Sequence, residues 1–332
     1  MRRVLSALVS PFSQTRGVAR WMLVVGAAIT AVFVIFAFFA PWIAPYGFAQ
    51  FQDSGGRFPK LGHPDNAHWF GTTDLETDVL SRVIWGARTA LEVVSLAVLA
   101  SLLIGLVLGI VSGYVGGWVD RILVLIMDSL YAFPSFLLAI VCAFLFTNII
   151  GTNIWFLTSG VVAASLSLTV IYIPQYFRVV RNTTLSAKQA TYVEAARALG
   201  ASGGTVMRRY LFGNVIQSVP VIATLNAADA ILTLAGLGFL GIGIQPDQAA
   251  EWGYDLQRSL DDAGVGVWWT SLYPGLAIVL LVTGLTLVGE GLNETINPIL
   301  RRRRLLPVVL PPREKSSSAP ARRASPELEA DS

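Results

Sequence analysis

Charge is scarce in this chain. Only 14% of its 332 residues are Asp, Glu, Lys or Arg, while 54% are hydrophobic; ordinary globular domains carry roughly 25% charged residues. A soluble domain of that composition would be hard to keep monodisperse. Cysteine is rarer still, with Cys142 alone inside an apolar run, which excludes an intrachain disulfide and a thiolate metal cluster. The two histidines, His63 and His68, have Asp65 nearby, but two imidazoles do not complete a metal-ligand set, so they read as solvated loop residues. None of the three lysines, Lys60, Lys188 and Lys315, follows a glycine. The chain therefore lacks the G-x-x-x-x-G-K-[ST] phosphate loop and does not bind ATP that way. H-E-x-x-H and G-x-S-x-G are absent as well, and apolar spans offer few other polar groups for an active site. The chain is not read as an enzyme, and no metal or cofactor is expected in it.

Long apolar runs are what the sequence has. They lie near 21–43, 90–113, 121–146, 156–177, 214–238 and 272–293, each long enough to cross about 30 Å of hydrocarbon as a helix. The expected fold class is an all-α polytopic membrane protein with six transmembrane helices. The first run is too long for a signal peptide and has no small-residue cleavage site after it. Asn214, Gln217, Asn226 and Asp229 interrupt the fifth run, a pattern suited to a face turned toward a bundle interior or a water-filled path. Asp128 sits about two turns inside the third run; a carboxylate at mid-bilayer costs about 2.5–3.5 kcal/mol, so it must face protein or water. It reads as a hydrogen-bonded packing residue near the cytoplasmic rim, with direct substrate contact as the alternative. Asp229, Asn226 and Asp128 are the candidate residues of a translocation path.

Basic residues set the orientation. With the N-terminus inside, the external segments hold Arg57, Lys60, Arg82, Arg88 and Arg258, and the cytoplasmic ones hold the other nineteen of 24. Both termini are then cytoplasmic. The net charge of +3 belongs to the inner membrane face and implies no nucleic-acid partner. Residues 1–88 comprise a cytoplasmic lead, the first helix and an external segment. Residues 89–300 form a five-helix core with a cytoplasmic loop at 178–212, and 301–332 form a basic tail, expected to be disordered, whose Arg301–Arg304 run stops the last span. The short glycine-rich turn Gly113–Arg121 makes the second and third helices antiparallel neighbours.

Within the cytoplasmic loop, Thr191–Gly200 reads TYVEAARALG. Thr191 and Glu194 have the spacing of a capping box, and Gly200 suits a left-handed exit. On a 3.6-residue period Tyr192, Ala195, Ala196 and Leu199 share a face, and the two alanines let another backbone come close. The bland alternative is an amphipathic connector resting on headgroups. After it, Ser202–Arg209 is expected to restart a helix leading into the fifth span.

This stretch resembles the EAA loop of ABC importer permeases: Glu194, Ala195, Ala196 and Gly200 stand in the pattern E-A-A, three residues, Gly. Phe70-Gly71-Thr72 through Asp78-Val79-Leu80-Ser81-Arg82 to Gly86-Ala87-Arg88 is similar to the FGTD-x-x-GRDVLSR-x-x-x-GAR stretch of C-type peptide permeases. Thr73, Glu76 and Thr77 stand there in place of Asp, Gly and Arg. Gly113–Ser135 is similar to GY-x-GGWVDR and D-x-x-x-AFPS. Leu237–Pro246 with Trp252-Gly253 resembles LSFLGLG-x-QPP…WG, and Gly289–Pro298 resembles GDGL…DP. Where that family has a proline before Asn214, this chain has Gly213, so a bend of less fixed geometry is expected there.

The resemblance covers about residues 70–300 and implies the fold and partners of a C-type dipeptide or oligopeptide importer subunit in a bacterial cytoplasmic membrane. Those partners are a second permease subunit, two ATPase subunits that carry ATP and Mg, and an extracytoplasmic substrate-binding protein. It further implies that Tyr192, Val193, Glu194, Ala195, Ala196, Arg197, Ala198, Leu199 and Gly200 couple to the ATPase. The same importer class carrying nickel chelates is the alternative, and a passive channel or structural membrane protein is a more distant one.

Overall fold

Asp78 opens the longest element: its carboxylate accepts the Ser81 N–H at 2.8 Å, an N-terminal cap from which α2 runs over Val79–Val115. In the computed structural model, which describes residues 17–149, 158–216 and 219–296, α1 (Val18–Ile43) precedes it. A short hairpin, β1 (Gln52–Asp53) and β2 (Gly56–Arg57), pairs antiparallel between them. Then come α3 (Gly117–Ala132), α4 (Ser135–Ile149), α5 (Ser159–Lys188) and α6 (Thr191–Ala198). A composite segment follows: α7 (Gly203–Thr205), a π turn (Val206–Leu211) and α8 (Phe212–Val215). The chain continues through α9 (Val219–Phe239), α10 (Trp252–Ala263) and α11 (Trp269–Ile296).

Five of these helices, α1, α2, α5, α9 and α11, are long and apolar enough to cross a membrane singly. The third apolar run departs from expectation. It is a pair, α3 and α4, bent by 97° where Pro134 removes a helix N–H and forces Phe133 into an extended conformation (φ −75°, ψ 139°). At 1.5 Å per residue, the 37 residues of α2 span about 55 Å, so its first turns stand outside the apolar run at 90–113 and belong to the external layer.

α5 is the central helix, with 72% of its most apolar window buried; α1 is peripheral at 22% and presents apolar side chains outward, as a lipid-facing helix does. α5 carries Leu168, Tyr172 and Tyr176 into the core, against Val93 and Ala97 of α2, Ile231 and Leu234 of α9 and Leu281 of α11. Its closest neighbour is α2. Gly105, Gly109 and Gly113 lie one turn apart along the contact, where added Cβ atoms would fall 2.6 Å from Tyr176 Cβ, 2.6 Å from Val180 Cγ1 and 2.8 Å from Thr184 Cβ. Small residues at this spacing let two helices pack at short range where no water is available to drive them together.

Two polar layers close the ends of the bundle. At one, Trp252 Nε1 donates to Val83 O at 3.1 Å, Trp269 Nε1 to Thr72 O at 3.1 Å, and Arg82 pairs with Asp255 at 2.6 Å. His68 Nδ1 lies 3.0 Å from Asp78 Oδ1 and is buried, so it is structural and not solvated as expected; His63 is exposed, as expected, with its ring beside that of Trp269. At the other end, Arg181 forks onto both oxygens of Asp120 at 2.6 and 2.7 Å, Ser112 bonds the same carboxylate, and Lys188 Nζ donates to Tyr114 O at 2.9 Å. α2 and α5 both run from the first layer to the second, so the chain between them must return across the bundle. The bent pair makes that crossing.

Candidate functional site

The expected coupling segment folds into α6, with corrections at its start and its faces. The capping box does not form. A turn closing α5, with Gln189 N–H on Ser186 O at 3.3 Å and Ala190 N–H on Ala187 O at 3.2 Å, places the extended residue at Ala190 (φ −74°, ψ 142°). Ala190 therefore takes the cap position and has no side chain to cap with; Thr191 is already helical. The exit is as expected. Gly200 has φ +83°, its N–H bonds Arg197 O at 2.9 Å, and Ala201 N–H bonds Ala196 O at 3.0 Å, the two bonds of a Schellman ending.

The faces of α6 divide differently from the sequence reading. Val193 and Ala196 are buried at 0% and 6% exposure; Val193 joins Val206 and Leu211 in a small cluster with Tyr114, Ala187 and Met207. The close approach expected at Ala196 is thus made by this chain itself. Tyr192, Glu194, Ala195, Arg197, Ala198 and Leu199 are exposed, Leu199 at 89%. Arg197 and Lys188 flank the Tyr114 ring, with Arg197 Cζ and Lys188 Nζ at 5.2 and 5.9 Å from its centroid, so the tip of α2 anchors the loop.

The π turn explains how the loop grips α6. Val206 and Leu211 are both fully buried although five residues apart, a spacing that would separate them by about 140° on an α-helix. The widened turn, closed by Phe212 N–H on Met207 O, brings both toward Val193; π turns recur at functional sites. Gly213 lies inside α8 and does not interrupt it, so the irregularity falls before the position expected from the missing proline. Asn214 donates to the Tyr192 hydroxyl, a second tie between α6 and the segment leading to α9.

The path candidates lie on α9 and α3 and are tied to α5 at different heights. Asp229 is exposed, and its Oδ2 accepts the hydroxyl of buried Tyr172 at 2.8 Å. Asn226 is buried beside the Tyr176 hydroxyl, without a bond of ordinary geometry between them. Asp128 pairs with Arg178 at 2.8 Å, and Arg178 lies over the Tyr131 ring at 4.0 Å. Tyr172 and Arg178 are six residues, or about 9 Å, apart along α5, so the two carboxylates do not form one site. The bend between α3 and α4 opens a groove lined by Tyr131, Phe133, Ser135, Leu138, Ile171 and Gln175. Among the described residues no group of three or more His, Cys, Asp or Glu could hold a metal. Gln217, Pro298, Arg301–Arg304 and the tail lie outside the described residues.

Sequence reasoning missed the residues that hold these sites: Tyr172 behind Asp229, Arg181 on Asp120, and Glu251. The last is a buried carboxylate capping α10 through the Gly253 and Tyr254 N–H groups at 2.9 and 2.7 Å. The polar residues stood in the sequence, but partners 57 and 61 positions away leave no local signal.

The chain matches the binding-protein-dependent transport system inner membrane component over residues 105–302 and the N-terminal TM domain of oligopeptide transport permease C over 18–58. It is 33% identical over 278 residues to the dipeptide transport system permease protein DppC of Alkalihalophilus pseudofirmus, covering 84% of this chain and 86% of that one. To the glutathione transport system permease protein GsiD of Shigella flexneri it is 36% identical over 281 residues, covering 84% and 87%. The first match contains α6, both path carboxylates and the bent pair, and with the apolar helices it shows that this chain belongs to the binding-protein-dependent transport system inner membrane components, as a multi-pass permease similar to DppC and GsiD.

Proposed function

We propose that this chain is one transmembrane subunit of an ATP-driven importer of small peptides, working with a second permease subunit, two ATPase subunits and an extracytoplasmic binding protein. ATP and Mg are held on the ATPase subunits. The observation that carries the coupling role is the exposed tip of α6: Leu199 stands 89% exposed on a helix whose other face is fixed to its own chain through Val193 and Ala196. A groove on an ATPase that takes up Leu199 and Tyr192 gains an apolar contact. A displacement there passes through the π turn and α8 into α9, the helix that bears Asn226 and Asp229. The peptide cargo is supported by the dipeptide and glutathione permeases that resemble the chain over most of its length.

The test is uptake into vesicles carrying the complete importer. Peptide accumulation that requires ATP, together with loss of ATPase co-purification in Leu199→Glu at normal membrane levels, is the expected result. Uptake that persists without ATP points to a passive channel, and uptake of nickel chelates in place of peptides rejects the cargo.

A further inference from the structure

Among the described residues, three carboxylates in or beside the spans have guanidinium partners. Glu92 pairs with Arg88, Asp120 with Arg181 and Asp128 with Arg178. Glu290 and Glu294 lie in the last turns of α11, at the cytoplasmic end. Asp229 is the middle residue of α9, ten positions from either end, and takes part in none of the ion pairs among the described residues. It is nevertheless held in place. Tyr172, itself fully buried, donates its hydroxyl to Oδ2 at 2.8 Å, and Thr233 Oγ1 closes on the Asp229 carbonyl at 3.0 Å. Among the described residues Oδ1 has no hydrogen-bond donor, and the side chain is open while Ala228 and Ala230 on either side are buried.

One turn toward the cytoplasm the same two helices set Tyr176 against Asn226, but that rung is closed on both sides. The ladder between α5 and α9 thus offers one open polar rung, and it is a carboxylic group. A carboxylate so placed must face water or a partner, because an unpaired charge in a span is expensive; Asp229 is exposed, and none of the described residues supplies it with a cation. Resting on the peptide reading above, we propose that Asp229, oriented by Tyr172, receives the terminal ammonium of the peptide as it passes this subunit. Tyr172 is a positioning residue: it fixes one carboxylate oxygen and leaves the other to accept the ammonium N–H groups.

The experiment uses the whole importer with its binding protein in proteoliposomes, a tryptic casein hydrolysate as probe, and mass spectrometry of the internalised peptides. In Asp229→Asn, subunit co-purification and the ATP hydrolysis stimulated by loaded binding protein stay within about twofold, while uptake falls at least about tenfold, as when only passage is impaired. Asp229→Glu restores part of the uptake. Tyr172→Phe lowers it by about threefold, and adding this change to Asp229→Asn lowers it no further, because the two residues act as a unit. Full uptake by Asp229→Asn overturns the proposal. Loss of the second permease subunit from the purified complex also overturns it, by assigning the carboxylate to an ion pair between subunits. If the wild-type importer internalises no peptide, the cargo reading falls, and this proposal falls with it.

Discussion

Thr73 and Thr77 face each other across the turn before α2, their hydroxyls 2.7 Å apart, with Thr73 N–H on Thr77 O at 2.9 Å. They are two of the three departures from the C-type pattern, where an Asp and an Arg stand. A neutral hydrogen-bonded pair thus stands where the pattern has an acid and a base, and it leaves no charge unpaired. We predict that Thr77→Arg alone destabilises the external layer, while Thr73→Asp with Thr77→Arg recovers much of the loss in a double-mutant cycle of thermal midpoints. The third departure, Glu76, has φ +59°, where the pattern has glycine. Left-handed backbone costs a non-glycine residue about 1–2 kcal/mol, so Glu76→Gly should raise the midpoint. Glu251 belongs to the same layer. Its burial pushes the carboxyl up to about 8, with Asp255 adding to the shift and the two N–H bonds and Arg82 opposing it. The folded value lies above the ordinary 4.5, so the stability this group contributes is complete below about pH 4.5 and is lost as pH rises through about 8, with a slope of at most about 1.4 kcal/mol per pH unit. Glu251→Gln should flatten the pH dependence of the midpoint between 5 and 8. None of this was legible in the sequence beyond the bare departures, because burial and pairing across the fold create it.

α6 shows which part of an element a sequence discloses. Its extent and its exit were legible, since Gly200 follows a run of strong helix formers and only glycine takes the left-handed position at no steric cost. Its start was misread because the turn ending α5 places the extended residue one position early, at Ala190. Its faces were misread because a π turn thirteen residues on from Val193 brings Val206 under the helix, and neither helical period nor residue type announces such a turn. Ala196→Glu therefore strikes the contact between α6 and its own loop. It should raise hydrogen exchange across Thr191–Val215 and increase protease cutting there before any ATPase is added. Leu199→Glu should leave both unchanged and lose only the ATPase. Equal exchange in the two variants would mean that α6 is not anchored through Ala196. The close contact between α2 and α5 was likewise written in Gly105, Gly109 and Gly113, but their partners could be named only once α5 was in place. Gly109→Leu should block that contact, since even a Cβ comes within 2.6 Å of Val180, and should lower the amount of folded protein in the membrane.

At the scale of the molecule, the asymmetry of charge and the direction of the helices agree. Of the five bases assigned to the external side, four meet acids: Arg57 with Glu76, Arg82 with Asp255, Arg88 with Glu92 and Arg258 with Asp74. They are committed to the external layer and do not compete with the cytoplasmic cluster that sets orientation. The number of spans was legible from apolar length, but the form of the third was not, although Pro134 marked the break. A pair of helices bent by 97° could equally dip into a membrane and return, and the path of the neighbouring helices decides between the two. α2 ends at Val115, where the neighbouring Tyr114 carbonyl accepts from Lys188 at the end of α5. α5 begins at Ser159, where Gln248 of the opposite layer donates to its hydroxyl at 3.3 Å. Parallel neighbours of this kind require a crossing connection between Val115 and Ser159. Cys142 is buried, so single added cysteines report cleanly. A membrane-impermeant maleimide should label Gln52→Cys and Asn148→Cys in intact cells, and should label Trp118→Cys and Leu199→Cys only after permeabilisation. Asn148→Cys protected in intact cells together with Trp118→Cys and Leu199→Cys would make α3 and α4 a re-entrant pair, and the parallel course of α2 and α5 would then be wrong.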